Sequence, residues 1–134
     1  MIVVLDCNIW ITLTISSQLD FIADLFDSEI IIASCDTLKS GIVDVLGRPR
    51  IQKYIGDTEI EKVVKLHDLV TIYFKPGKLQ PITKDPKDDY LFALAVKSKA
   101  NYLVTGDKLL LGVDRYKNTK LISLREFRNI LAGL

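Results

Sequence analysis

Histidine occurs once in this chain, at His67, which excludes a two-histidine mechanism and a histidine-built metal site. Cysteine is almost as scarce. Cys7 and Cys35 form neither a disulfide framework nor a zinc pattern, so reduced thiols in a cytoplasmic protein are expected. Long apolar runs are missing: none approaches the roughly 20 residues needed to span a bilayer. Met1 leads directly into a strand pattern, without a basic segment or a small-residue cleavage site. A soluble, unexported protein with no membrane partner is the expectation. Excess charge is missing too, since 18 Lys and Arg stand against 17 Asp and Glu. A polyanion would therefore have to be met by local clusters and not by the net field.

What is present is ordinary globular composition, 49% hydrophobic and 26% charged over 134 residues. One domain covering 1–134 is expected, long enough to bury a core. Ile2-Val3-Val4-Leu5 is a short unbroken apolar run ending in Asp6, the pattern of a strand buried on both faces. Ile9 to Thr14 continues apolar and β-branched and is expected to turn away from the sheet. Ser16-Ser17 offers an N-cap for a helix striped by Leu19, Phe21, Ile22, Leu25 and Phe26. Ile30-Ile31-Ile32 marks a second strand, and Leu38, Ile42, Val45 and Leu46 stripe the helix that follows. Gly47-Arg48-Pro49 ends that helix.

Ile60, Val63, Val64 and Leu66 give a further helix reaching His67, with a strand over Leu69–Tyr73. The segment from Lys75 to Lys84 reads as a turn and polar connection. Asp85-Pro86 is a turn, after which Leu91, Leu94 and Ala95 share one helical face. Tyr102-Leu103-Val104 is a short buried strand running into Thr105-Gly106-Asp107, with a short helix from Lys108 to Leu111. Leu121-Ile122 is the last strand, and Ser123 with Glu126 forms a capping box for the closing helix. This alternation predicts a three-layer α/β/α domain with a mostly parallel sheet. Right-handed crossovers bring all strand ends to one edge.

Asp6, Asp88 and Asp107 sit at equivalent punctuation: a strand end, a helix start and the turn after a strand. Carboxylates that meet without a basic partner repel, and a hard divalent cation is the usual remedy. Magnesium accepts a few of them, keeps several waters and binds phosphates as well. Such a site activates water against a phosphodiester. Each aspartate also has a bland reading. Asp88 suits an ordinary N-cap and Asp107 a turn, whereas nothing related to capping follows Asp6 for several residues.

Leu5-Asp6-Cys7-Asn8-Ile9-Trp10, Asp85-Pro86-Lys87-Asp88-Asp89 with Ala95 beyond it, and Leu103-Val104-Thr105-Gly106-Asp107 together resemble the PIN-domain family. The likeness extends through Arg48-Pro49 to Ser123-Leu124-Arg125-Glu126-Phe127, and it is strongest to the toxin components of prokaryotic toxin–antitoxin pairs. The resemblance implies a five-stranded parallel sheet of order 3-2-1-4-5 and a Mg²⁺- or Mn²⁺-dependent endoribonuclease. By position, Asp6, Asp88 and Asp107 would be metal ligands, with Asn8 and Thr105 in support and Asp89 a neighbouring candidate. It further implies an RNA substrate, an antitoxin protein as partner and often a homodimer. One departure stands out. Ser40 and Gly41 occupy the positions where the family carries a glutamate, and Asp44, one turn later, is the candidate substitute.

Other cations have weaker claims. Arg48, Arg50 and Lys53, beside Tyr54, read as a solvated face, while Lys84, Lys87 and Lys108 flank the expected acidic mouth. His67 reads as a helix C-terminal residue near the dipole, and Trp10 as core. Three function classes compete. The first is a metal-dependent endoribonuclease; the second is a weakened or inactive RNA-binding or antitoxin-binding module, motivated by Ser40-Gly41. A phosphoacceptor receiver lacks its acidic pair after strand one and its aspartate after the third strand, which runs into Phe74-Lys75-Pro76, and a haloacid-dehalogenase-type phosphatase would need an acid where Asn8 stands.

Overall fold

The computed structural model describes residues 1–77 and 86–134. Lys84 and Asp85, named above, lie outside the described residues, as does most of the expected polar connection. The chain begins with β1 (Ile2–Leu5), whose Val3, Val4 and Leu5 have no exposed surface. α1 (Cys7–Ile15) follows after a single residue. The apolar run from Ile9, expected to turn away from the sheet, does so as a helix. Ile9, Trp10, Ile11, Leu13 and Thr14 are all buried, and a helix enclosed on all sides shows no amphipathic period to betray it. Ser16 closes α1, and Ser17 adopts a left-handed turn (φ 58°). Neither serine caps α2 (Asp20–Asp27), which starts at Leu19 without a side-chain hydrogen bond.

β2 (Ile31–Ser34) leads to α3 (Asp36–Leu46), then to the short α4 (Pro49–Gln52), with its proline at the first helical position. α5 (Asp57–Val70) runs directly into β3 (Thr71–Tyr73). A 3₁₀ turn over Pro86–Asp88 introduces α6 (Asp89–Ser98), then β4 (Tyr102–Val104) and α7 (Lys108–Leu111). β5 (Arg115–Tyr116), β6 (Thr119–Ile122) and α8 (Leu124–Ala132) complete the order, α8 opening on the Ser123–Glu126 capping box.

The sheet has six strands in the order β3-β2-β1-β4-β6-β5. Its five parallel strands keep the expected sequence of positions, with β6 in the fifth place. The correction is β5, an antiparallel edge piece that pairs Arg115 with Lys120 and Tyr116 with Thr119. Lys117-Asn118 connects the two strands, with Lys117 left-handed (φ 52°) and no glycine to advertise the turn. α2 packs on β2 and against α5, α3 packs against α1, α4 and α5, and α6 lies across β1, β2 and β4. Trp10, Phe92 and Phe127 are the largest side chains fully buried between these layers. β1 and β4 are neighbours with Leu5 opposite Val104, so Asp6 and Thr105 emerge side by side at the carboxyl edge. α6 starts at that same edge, because it must cross back before β4.

Candidate active site

Asp6 is 7% exposed, and both of its carboxylate oxygens are already engaged. Oδ1 accepts from the Cys7 backbone N–H at 2.7 Å, and Oδ2 accepts from the Thr105 hydroxyl at 2.7 Å. The sequence reading that no capping follows Asp6 is thus corrected: it is the N-cap of α1. Thr105 in turn accepts from the Asp107 backbone N–H at 3.1 Å, so one hydroxyl ties two of the acids together. Asp107 also caps a helix, its Oδ1 accepting from Leu109 N–H at 2.8 Å. Asn8 closes the corner, its Oδ1 taking the Gly106 N–H at 3.4 Å.

Asp88 differs from both. It precedes α6 in a helical backbone conformation and makes no side-chain cap. The bland explanation therefore fails for the residue it suited best. Asp6, Asp88 and Asp107 line one cleft of about 360 Å³ at the carboxyl edge of the sheet, together with Asn8, Arg48 and Arg50. Arg48 and Arg50 were read from the sequence as a solvated face. The proline-initiated turn of α4 brings them to the cleft wall, while exposed Lys53 and Tyr54 stay off it. The signal that could have found them is Pro49, which fixes the chain direction between the two arginines.

Electrostatics mark Asp6 as the strained member. Burial pushes its carboxyl above the usual range; the bonds from Thr105 and Cys7 pull it back, and the charge of Asp107 pushes it up again. Burial, then the Asp6 charge, raises the Cys7 thiol to about 11, so Cys7 is no nucleophile at neutral pH. Half-buried Tyr90 is also pushed up, first by burial and then by Asp6, which places the phenol in the same field. Sequence reasoning passed over Tyr90, whose position two residues after Asp88 was the only hint.

A family model for the PIN domain matches residues 2–109, a stretch holding all three aspartates. The chain belongs to the PIN-domain family. Members are in general nucleases that use divalent metal ions, usually Mg²⁺ or Mn²⁺, act on RNA and often pair with antitoxins. No curated protein and no solved structure matches the chain.

In this PIN domain the all-oxygen donor set suits a hard cation that retains water. The raised carboxyl of Asp6, buried and facing the Asp107 charge, is what such a cation relieves. The aspartates share the cleft without closing on one point: among the described residues no three acidic, histidine or cysteine side chains gather tightly enough to enclose an ion. The missing acid of α3 is visible in the same terms. A Cβ on Gly41 would lie 3.7 Å from Cys7 Sγ, so this position neighbours the cleft but carries no side chain. Asp44 does not replace it. Exposed on α3, it binds Arg48 at 2.9 Å and does not line the cleft. Asp89, the first residue of α6, does not line it either.

His67 sits in the last turn of α5 as expected, but inside the core and 1% exposed. Its Nε2 lies 2.7 Å from Ser34 Oγ and its Nδ1 3.1 Å from Asp68 Oδ1, with the ring edge-on to Trp10 at 5.0 Å. The order serine, histidine, carboxylate imitates a hydrolase relay. Ser34 has no exposed surface, so the chain of bonds is a structural tie between β2 and α5.

Proposed function

We propose that this protein is a divalent-metal-dependent endoribonuclease, the toxin of a toxin–antitoxin pair, working in the cytoplasm as one domain over residues 1–134. The observation that carries the reading is the shared cleft of Asp6, Asp88 and Asp107, fed from β1, β4 and α6. Those three residues would hold Mg²⁺ or Mn²⁺, with Thr105 and Asn8 fixing their corner. When bound, the cation supplies an activated water and neutralises charge on the phosphodiester. The chain's own part is positional. Thr105 orients the Asp6 carboxylate and blocks its rotation, and burial keeps bulk water from competing for it. Arg48 and Arg50 line the same cleft, Arg48 paired with Asp44, and would attract the flanking phosphates of the strand.

Calorimetric titration of Mn²⁺ and Mg²⁺ into wild type and Asp6→Asn, paired with an RNA cleavage assay, tests this. Metal binding and cleavage are expected in wild type, with both lost in the variant. Cleavage that survives in Asp6→Asn with chelator present rules the mechanism out.

A second reading, a weakened or inactive module that binds RNA or an antitoxin, is favoured by one observation. No acid stands at Ser40 or Gly41, and Asp44 is turned to Arg48. Cleavage by wild type at substoichiometric enzyme would sink that alternative.

A further inference from the structure

Another cavity, of about 470 Å³, opens at the opposite end of the sheet, with Ala95 and Val96 on its apolar side. It lies at the amino-terminal ends of β4 and β6, between the end of α6 and the β5–β6 connection. Lys99, Ala100, Asn101, Lys117, Asn118 and Thr119 wall its polar side, and no carboxylate lines it. Lys99 and Lys117 are both left-handed, at φ 57° and 52°. Glycine or asparagine takes that conformation more readily than lysine. Two lysines are thus held in disfavoured backbone states beside one cavity, which asks for a function.

The surroundings are as one-sided. Between residues 95 and 120 the chain carries Lys97, Lys99, Lys108, Arg115, Lys117 and Lys120 against only Asp107 and Asp114. Among the described residues, ion pairs involve other groups, and none of these six cations takes part in one. The near-neutral total hides this excess. In the rest of the wall Asn101 is preset to donate, while Thr119 is structural. Asn101 Oδ1 accepts from Ile2 N–H at 2.8 Å, which fixes the amide and leaves its NH₂ group as donor. Thr119 donates to Ala100 O at 2.7 Å and pins the hairpin to the helix end. Lys117 rests against the Tyr116 ring, 5.7 Å from its centroid.

We propose that this cavity binds a backbone phosphate of the RNA strand whose scissile bond lies in the carboxylate cleft. The inference rests on the ribonuclease reading and extends it to a second contact on the same strand. Asn101 and Thr105 are the residues flanking β4, so the two sites stand only about 13 Å apart along it at 3.3 Å per residue. Lys108 at the start of α7 and Arg115 on the edge strand β5 are both exposed. The chemistry recognised is a phosphodiester anion, read by charge and donors without regard to base.

The test is binding of a fluorescein-labelled uridylate dodecamer, without added divalent cation, from about 50 to 200 mM salt. Lys99→Gly/Lys117→Gly removes both cations and puts glycine where the backbone favours it, so melting temperature should hold or rise. Affinity at the low-salt end should fall about tenfold, and the salt slope should shrink by about 1.4 for two lost single-strand contacts. A control double variant, Lys62→Ala/Lys65→Ala on α5, should change little. Unchanged affinity and slope in the glycine variant overturn the proposal, as does an equal loss in the control, which would trace the effect to the overall field. Wild type that fails to bind the dodecamer also overturns the proposal, while the ribonuclease reading is judged separately by metal titration and cleavage. Wild-type binding with an unaffected glycine variant overturns the proposal alone.

Discussion

Thr105 uses its hydroxyl twice, donating to Asp6 and accepting from the Asp107 N–H, with no surface exposed. Replacing it by valine keeps the shape and removes both bonds. The Asp6 carboxyl then loses a donor while still buried, so its titration moves further up, and the Asp107 N–H is left without its acceptor. Denaturant unfolding at neutral pH should show Thr105→Val less stable by about 1–3 kcal/mol, with Mn²⁺ affinity reduced. A variant as stable as wild type would mean that the corner is held by backbone alone. At this scale the sequence disclosed the acids but not their bonds. The motif letters place Asp6, Asp88 and Asp107 at punctuation points, yet which of them cap helices depends on where α1 starts. That was hidden by an apolar run with no period.

Among the elements, α3 decides how acidic the cleft is. Gly41 presents its bare Cα toward Cys7, and a Cβ there meets only ordinary contact. Gly41→Glu should therefore fit, raise helix stability by about 0.5–1 kcal/mol, and bring a fourth carboxylate to the rim. Calorimetry should show Mn²⁺ binding about tenfold tighter, since affinity follows the number of charged ligands. Unchanged affinity would show that this side of α3 does not look into the cleft. β4 and α7 lie where the sequence predicts them, because a three-residue apolar strand and an aspartate-led helix are bounded by clear breaks. β5 was not legible. Two residues with a lysine-led turn carry neither an alternating pattern nor a glycine, and only pairing with β6 makes them a strand. The α2 start failed for a related reason. Ser16 and Ser17 are good caps by type, but they are occupied in leaving α1.

For the molecule as a whole, the bonds at His67 join β2 to α5, while its ring touches Trp10 of α1 and Tyr73 of β3. Burial lowers its proton affinity, opposed by the bond and charge of Asp68 and aided by nearby Lys39. Burial thus favours the neutral ring, in which an Nδ1–H turned to Asp68 leaves Nε2 to accept from Ser34. An unfolded chain binds a proton near pH 6.5, where the folded one resists it. Stability is therefore complete above about pH 6.5 and declines as pH falls below it, by at most about 1.4 kcal/mol per unit. Asp68 acts in a separate window. Held low by the bond from Lys39 first, its contribution persists until pH falls below the usual carboxylate value. Urea midpoints from about pH 7.5 to 5 should show the decline in wild type and a flatter profile in His67→Gln. A slope retained in that variant would assign the effect to another group.

Asp6 alone separates β1 from α1. Its amide donates to Val104 O at 2.9 Å and the Thr105 amide to Ile122 O at 3.0 Å, each continuing the parallel pairing one residue past a strand end. Neither residue belongs to a loop that breathes on its own. In hydrogen-exchange terms their amide protons should be protected together with the carboxyl ends of β1, β4 and β6 and not with a surface loop. The acidic corner thus opens only with the strand ends that carry it.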